Sequence, residues 1–219
     1  MTILLLTFLS FLLLSAPAWT EHKGTKLLGQ DGLRYYPFHE DPVNGPVVRW
    51  YANGQMQREA NFKDGKKHGL STFWYENGQK YLEGSFKDGK QNGPWTVWYP
   101  TGQKKMEGPY RDGKEDGRWT VWHETGQKKM EGPYRDGKQN GPWTVWYPTG
   151  QKKMEGPYRD GKEDGRWTVW HETGQKKMEG PYKDGRQDGP WTGWDKHGNI
   201  TRQTTYRNGH EVCILQTHL

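Results

Sequence analysis

The sequence predicts an all-β fold, an elongated antiparallel array of β-hairpin repeats that runs as a meander or solenoid. Three observations support this prediction. A 24-residue period recurs seven times, starting at Gly45. Each period contains a β-branched and aromatic stretch, which favours an extended strand. Each period also contains two glycine-bearing turn signals, and the repeats show no helical periodicity.

The composition indicates what such an array buries and which partners suit it. Only 31% of the 219 residues are hydrophobic, yet 13 are Trp and 12 are Tyr. These aromatic rings replace aliphatic side chains as buried material, which suits a thin sheet better than a thick core. The net charge is +6, but the 32 basic residues are interleaved with 26 acidic ones. This mixture is typical of a solvated surface rather than a groove for a polyanion.

The chain is predicted to begin with an export signal at residues 1–18. This segment has no charged side chain and ends in Ala16-Pro17-Ala18, the small-x-small pattern of a cleavage site. Its apolar run is too short to span a bilayer. We expect a mature start at Trp19 and a secreted, periplasmic or cell-envelope protein; the alternative is an uncleaved anchor, helical if retained. No cysteine follows the run, so lipidation of the bacterial type is not expected.

The remaining boundaries follow from the period. Residues 19–44 are interpreted as an N-terminal cap segment, residues 45–212 as the seven repeats, and residues 213–219 as a C-terminal tail. The tail contains Cys213, the one cysteine, so no internal disulfide is possible. A buried thiol and an intermolecular disulfide both remain open for it.

The clearest unit reads GPWTVWYPTGQKKMEGPYRDGKED from residue 93 to 116, and residues 141–164 repeat it identically. Residues 93–140 and 141–188 differ at three positions only, which defines a 48-residue superperiod. Such near-identity indicates a recent tandem duplication. The outermost units diverge from this pattern, as expected of caps that face water.

Each unit is predicted to form one hairpin. A strand around residues 95–99 is followed by Pro100-Thr101-Gly102, whose glycine suits a loop position with positive φ. A second strand covers residues 103–110, and Asp112-Gly113 then suits a tight turn. Fourteen strands at about 4.8 Å each give a sheet on the order of 65 Å long. A sheet of this size is expected to twist or curl strongly.

The pairing register stays open from the sequence. Alternation places Trp95 and Val97 on one face of the strand and Trp98 on the other. A three-residue loop would set Met106 beside Thr96, whereas a four-residue loop would set it beside Trp95. A slip of one residue exchanges the two faces, so the sequence does not decide which tryptophan is buried.

These residues resemble the MORN repeat variant in its bacterial form, GxWxxWYxNGQKxxEGxYKDGKxxG, over roughly Gly45–Gly209. The resemblance implies a β-hairpin repeat fold used for protein contacts, and an association with membrane lipids for MORN repeats at large. It also implies a grouping with YwqK-like antitoxins of toxin–antitoxin systems. The sequence departs from the pattern where Asn is replaced by Thr and Tyr by His, at Thr101, Thr125, Thr149, Thr173, His123 and His171.

No catalytic, cofactor-binding or metal-binding residue is predicted. His123 and His171 would lie roughly 19 Å apart by strand spacing, whereas zinc needs ligands within about 2.1 Å of one point. The stretch from Asp112 to Gly117 lacks the alternating carboxylates of a calcium loop. Glu107 lies near Lys104 and Lys105, which suggests surface ion pairs. Identical units argue against a unique active site, so the protein is expected to be no enzyme and to need no cofactor.

The predicted function is a non-enzymatic repeat scaffold that mediates protein–protein interaction outside the cytoplasm, with an unidentified protein as partner. Alternatives are a module that binds glycan, cell wall or anionic lipid, and an antitoxin or immunity-type protein. Nucleic acid is not expected as a partner, because an exported protein does not meet it. The candidate binding surface consists of one Trp and one Lys per unit: Trp98, Trp122, Trp146, Trp170, Lys105, Lys129, Lys153 and Lys177.

Overall fold

The computed structural model describes residues 42–212, and this part of the chain is one open antiparallel sheet of nineteen strands. No helix occurs in it, so the all-β hairpin-repeat prediction is confirmed. The predicted signal segment, most of the predicted N-terminal cap and the tail from residue 213 lie outside the described residues. Between residues 42 and 212, no helix is long and apolar enough to cross a membrane.

Fourteen strands are long and correspond to the two predicted strands of each unit. They are Gly45–Trp50 (β1), Met56–Lys63 (β2), Lys66–Trp74 (β3), Lys80–Lys87 (β4), Lys90–Trp98 (β5), Lys104–Arg111 (β6), Gly117–Trp122 (β8), Lys128–Arg135 (β9), Gly141–Trp146 (β11), Lys152–Arg159 (β12), Gly165–Trp170 (β14), Lys176–Lys183 (β15), Gly189–Trp194 (β17) and Ile200–Arg207 (β18). Five strands are short: Lys114–Glu115 (β7), Lys138–Gln139 (β10), Lys162–Glu163 (β13), Arg186–Gln187 (β16) and His210–Val212 (β19). Each long strand pairs with the long strands next to it in the chain.

Two kinds of turn join the strands. In the hairpin loop at residues 100–102, the Gly102 amide donates to the Tyr99 carbonyl at 2.9 Å, and Gly102 has a φ of 85°. The Tyr99 amide donates to the Gln103 carbonyl at 2.8 Å, which closes a three-residue loop. At the other end, Asp112 and Gly113 have φ angles of 51° and 86°. Two consecutive positive φ angles are those of a type I′ turn, so the predicted tight turn is confirmed.

Neither register considered from the sequence is correct, because a β-bulge follows the loop. Trp98 lies opposite Lys104, but Val97 lies opposite Met106, so Lys105 is an extra residue without a partner across the strand. A bulge inserts one residue into one strand and shifts all later pairs. Met106 therefore lies beside Val97 rather than Thr96 or Trp95, on the face of Trp95. The same shift recurs in the other units.

A second irregularity accounts for four of the five short strands, and the fifth, β19, follows the last turn. The strand returning from each Asp-Gly turn is interrupted at Asp116 in the first of the four affected units, where it passes Pro109. Proline has no amide hydrogen to donate to the ladder. The Asp116 amide instead donates to the Pro109 carbonyl at 3.1 Å. In β4 this position is Ser85, and the returning strand β5 runs without interruption.

From the third unit onward, the core is a single row of aromatic rings, whereas a separate buried cluster around the first unit consists of Val43, Val47, Ala60 and Phe62. In the units that begin at Gly93 and later, the tryptophan at the third position is buried, with Trp119, Trp143 and Trp167 each 2% exposed. A tyrosine or phenylalanine separates each from the next, and successive rings meet edge-to-face with centroids 5.1–6.5 Å apart. We call this row the aromatic ladder: Phe86, Trp95, Tyr110, Trp119, Tyr134, Trp143, Tyr158, Trp167, Tyr182, Trp191 and Tyr206. Edge-to-face pairs add to the stability that burial provides.

Side chains also join consecutive units at the hairpin-loop end. The Tyr99 hydroxyl donates to the Trp122 carbonyl of the next unit at 2.9 Å, and Tyr147 does the same to Trp170. His171 takes the tyrosine position in its unit, and its Nε2 lies 2.9 Å from the Trp194 carbonyl. His171 therefore keeps the contact that tyrosine makes, whereas His123 Nε2 lies 3.5 Å from the Trp146 carbonyl.

Candidate binding surface

The two faces of the sheet carry different chemistry. The aromatic face carries Trp95, Val97, Met106 and Tyr110. Val97 lies opposite Met106, and alternation along each strand places Trp95 on the side of Val97 and Tyr110 on the side of Met106. The ion-pair face carries Thr96, Trp98, Lys104 and Glu107 and their equivalents. Every unit repeats both sets, so each face presents parallel rows of identical side chains across the strands.

The ion-pair face carries a row of half-buried indoles, each beside a lysine of the preceding unit. The ammonium of Lys80 lies 5.8 Å from the centre of the Trp98 ring. The same pairing recurs for Lys104 with Trp122, and its distance stays between 5.6 and 5.9 Å along the row. This is the range in which a cation is attracted to the face of an indole. The indole row consists of Trp98, Trp122, Trp146, Trp170 and Trp194.

The ion pairs on this face differ between alternate units, so their pattern repeats with the 48-residue superperiod. In one unit Lys104 bonds Glu107 at 2.6 Å and the pair is exposed. In units that carry an arginine after the first glycine, the glutamate gains a second cation, so Glu179 accepts from Lys176 and Arg166. The hydrogen bonds from Lys176 and Arg166 lower the pKa of Glu179 to about 2. Each lysine of the indole row is therefore paired with a glutamate.

The aromatic face carries a continuous apolar row next to the aromatic ladder. Val97 lies opposite Met106, which lies opposite Val121, and this alternation continues from strand to strand. Apart from buried Val97, these side chains are half-buried. We call this row the valine–methionine stripe: Leu82, Val97, Met106, Val121, Met130, Val145, Met154, Val169 and Met178. Methionine side chains adapt readily to different apolar partners.

The bulge lysines border this stripe on the hairpin-loop side. Lys105 reaches towards Tyr99, with its ammonium 5.5 Å from the ring centre, and Lys153 does the same towards Tyr147 at 5.7 Å. Alternation places Tyr99 on the side of Val97, so these lysines belong to the aromatic face. Lys105, Lys129, Lys153 and Lys177 are all exposed. None of the four takes part in an ion pair within residues 42–212.

The MORN repeat variant pattern matches seven segments of 22 residues each: 43–64, 67–88, 91–112, 115–136, 139–160, 163–184 and 187–208. Together they cover well over half of the chain. The chain belongs to the MORN repeat variant family. No curated protein matches it.

Each MORN repeat, as matched, contains one hairpin loop and ends in the Asp-Gly turn. The segment from 91 to 112 includes β5 except for its first residue and all of β6, and the two residues between it and the next segment are Gly113 and Lys114. MORN repeats are typically modules for interaction with proteins or membrane lipids. Family and fold together are consistent with a non-enzymatic repeat scaffold.

The residues of the predicted binding surface lie on two different faces of this MORN array. Trp98 and its three equivalents belong to the ion-pair face, while Lys105 and its equivalents belong to the aromatic face. From Lys104 onward, the lysines beside the indoles are the other member of each Lys-Lys pair, such as Lys104 and Lys128, which the predicted surface did not include. The bulge separates the two lysines of a pair. A bulge in an otherwise regular hairpin leaves no distinct signal in one sequence.

The packing of the array changes the pKa values of its buried tyrosines. Burial and the neighbouring Glu115 carboxylate raise the pKa of Tyr110 to about 12, and burial and Glu163 do the same for Tyr158. Tyr110 donates a hydrogen bond to Glu115 at 3.3 Å. Within residues 42–212, no three His, Cys, Asp or Glu side chains converge as metal ligands would.

Proposed function

We propose that this protein is a non-enzymatic scaffold that binds a protein partner outside the cytoplasm, through a surface repeated once per unit. The observation that carries the proposal is the exact recurrence of side-chain rows on each face, strand pair by strand pair. Repeat architectures of this kind present extended surfaces to their partners. Weak contact at each unit then adds up along the array.

The location outside the cytoplasm rests on the amino terminus. Residues 1–18 have the apolar run and the Ala16-Pro17-Ala18 ending of a cleaved signal. The intact mass of the protein expressed in an export-competent host tests this part. Loss of residues 1–18 supports export, and a full-length product recovered from the cytoplasm contradicts it.

Copy-number variants test the scaffold function. Proteins with one, two or three copies of residues 93–140 are compared for binding to isolated envelope material. We expect affinity to rise steeply with each added block, because every block adds identical contacts at a fixed spacing. Affinity that does not change with copy number would indicate a unique site elsewhere in the chain, with the repeats as a spacer.

A second function is supported by the indole row of the ion-pair face. Half-buried Trp98 and its equivalents, each beside a lysine ammonium, suit stacking on sugar rings or contact with an anionic surface. Sedimentation with peptidoglycan and with anionic vesicles, alongside envelope proteins, separates this function from protein binding. A Trp122→Ala, Trp146→Ala double variant that loses peptidoglycan or vesicle binding, but keeps protein binding, would support the second function.

A further inference from the structure

The aromatic face combines an apolar stripe with a charged border on one side. The valine–methionine stripe crosses the sheet from Leu82 to Met178 without interruption. It ends where Gly193 replaces the valine and Arg202 replaces the methionine, and Arg202 pairs with Glu211 at 2.5 Å. The stripe spans eight strand spacings, or about 38 Å. An apolar row of this length on one open face favours an elongated partner.

The border of bulge lysines sets the charge of that partner. The lysines beside the indole row are each paired with a glutamate, as Lys104 is with Glu107 at 2.6 Å. The bulge lysines have no such ion pair among the described residues, although Lys105 and Lys104 are adjacent in sequence. Their positive charge is therefore available to a bound segment. The complementary segment carries carboxylates along the edge that faces the hairpin loops.

The opposite border of the face differs in charge. Positions equivalent to Glu115 hold Gln139, Glu163 and Gln187 in the following units. This border is thus neutral or weakly acidic, and Glu115 already accepts from the Tyr110 hydroxyl. The contrast between the two borders gives the bound segment one orientation across the face, with its acidic edge towards the lysines.

The spacing of the lysines selects the conformation of the segment. One unit is two strands, or about 9.6 Å. A polyproline II chain advances about 9.3 Å in three residues, whereas an α-helix advances about 10.5 Å in seven. Over the three intervals from Lys105 to Lys177, an extended chain stays within about 1 Å of register, and a helix accumulates nearly 3 Å of mismatch. An extended chain also follows the twist of a sheet more easily than a rigid helix.

We propose that the aromatic face binds an extended segment of the partner protein, with an acidic residue at every third position and apolar residues between them. The carboxylates meet Lys105, Lys129, Lys153 and Lys177 in turn. The apolar side chains lie on the valine–methionine stripe. This proposal rests on the scaffold function and specifies the chemistry of its partner.

The test uses a fluorescent peptide of five Glu-Pro-Leu triplets and the full-length protein. A control peptide of the same composition carries its five glutamates in one block. Fluorescence anisotropy gives the dissociation constant for each. We expect the triplet peptide to bind about tenfold more tightly, because only its carboxylates match the lysine spacing. High salt should weaken this binding, since the lysines are exposed. Equal binding of the two peptides, or none, overturns the proposal.

Adjacent lysines on opposite faces provide matched variants. One protein carries Lys105→Gln, Lys129→Gln, Lys153→Gln and Lys177→Gln; the other carries Lys104→Gln, Lys128→Gln, Lys152→Gln and Lys176→Gln. Both lose the same charge. We expect about a tenfold loss of affinity in the first, or about 1.4 kcal/mol, and less than about a twofold change in the second. Circular dichroism verifies that both remain folded. Equal losses in the two variants contradict the assignment of the site to the aromatic face.

Other occupants of this face give different results. Binding to phosphatidylserine vesicles that the first variant loses, without peptide binding, would assign the face to a membrane. Self-association that the first variant loses would assign it to a second copy of the chain. Either outcome overturns the proposal. If affinity for envelope material rises with copy number but is unchanged in the first variant, the scaffold function stands and only the aromatic-face site is wrong.

Discussion

The glycine beneath each buried tryptophan decides how closely the units stack. Gly132 lies directly under the Trp143 indole, and a Cβ at Gly132 would come within 2.3 Å of that ring. The indole Nε1 donates to the Pro133 carbonyl at 3.1 Å, so the ring cannot move away without losing this bond. The small glycine of one unit is therefore matched to the large tryptophan ring of the next unit.

Gly132→Ala should destabilise the protein by about 1–3 kcal/mol, because the added methyl group overpacks the ladder. Urea unfolding followed by tryptophan fluorescence measures this change. Gly193→Ala is the matched control, since its Cβ would have no neighbour nearer than 3.6 Å. Alanine favours a strand over glycine, so the control should be neutral or more stable by up to about 1 kcal/mol. Similar losses in both variants would contradict the stacking described for Trp143.

The tyrosines of the aromatic ladder limit the stability of the folded protein at alkaline pH. The pKa of Tyr110 and Tyr158 is raised to about 12 from 10.0. A pKa raised on folding adds stability that is complete below pH 10 and is lost as the pH rises towards 12. Absorbance at 295 nm should therefore show late ionisation of these tyrosines, together with unfolding. Tyr158→Phe should remove part of the late step. Titration of all tyrosines near pH 10 would show that the ladder is open to water.

Among the secondary-structure elements, the Asp-Gly turns connect the strands at the end of the sheet opposite the hairpin loops. Asp160 has a φ of 51°, and the Gly161 amide donates to the Gln139 carbonyl of the preceding unit at 2.8 Å. The turn thus joins two strands and also contacts a third. Its geometry requires residues that tolerate a left-handed backbone.

Asp160→Ala should cost about 1 kcal/mol, because alanine is strained at positive φ. Asp160→Gly should cost little, because glycine adopts this region freely. Equilibrium denaturation of the two variants measures the difference. A loss as large in Asp160→Gly as in Asp160→Ala would indicate that the aspartate side chain matters, rather than the backbone conformation of the turn.

The elements could be predicted because each has a local cause in the sequence. The strands follow from β-branched and aromatic residues, and the turns follow from Asp-Gly and from glycine at the loop. The face of each side chain could not be predicted in the same way. It depends on the bulge at Lys105, which is a property of two paired strands rather than of one stretch of residues. The interruption at Asp116 likewise arises across the strand, from Pro109.

The candidate surface was harder to predict for the same reason. Trp98 and Lys105 recur at the same period, so the sequence suggested one combined surface. The bulge assigns Lys105 to the aromatic face and leaves Lys104 with the indoles. Export and the grouping with YwqK-like antitoxins concern properties outside residues 42–212 or outside the fold, and they stay predictions.

The free energy of unfolding of the whole molecule should be the sum of the contributions of the single units and of the interfaces between neighbouring units. Deleting residues 93–140 removes one superperiod and brings residue 92 next to Gly141, which begins an identical unit. The new interface repeats the old one, so the variant should fold with the same circular dichroism spectrum per residue. Its thermal midpoint should fall, and its urea m-value should decrease with the buried surface. Loss of the β spectrum would show that the array needs contacts beyond nearest neighbours.

The contacts between units join residues that are close in the sequence, and this affects how the chain folds during synthesis. Side-chain bonds between units, such as that from Tyr99 to Trp122, connect residues 23 positions apart. Proteins with such local contacts fold fast, because little chain must be ordered before a contact forms. A nascent array can therefore fold in the order of its synthesis, each hairpin docking on the finished edge as the next two dozen residues emerge. The sheet would then grow from its first hairpin, and each new unit would carry the growing edge two strands further.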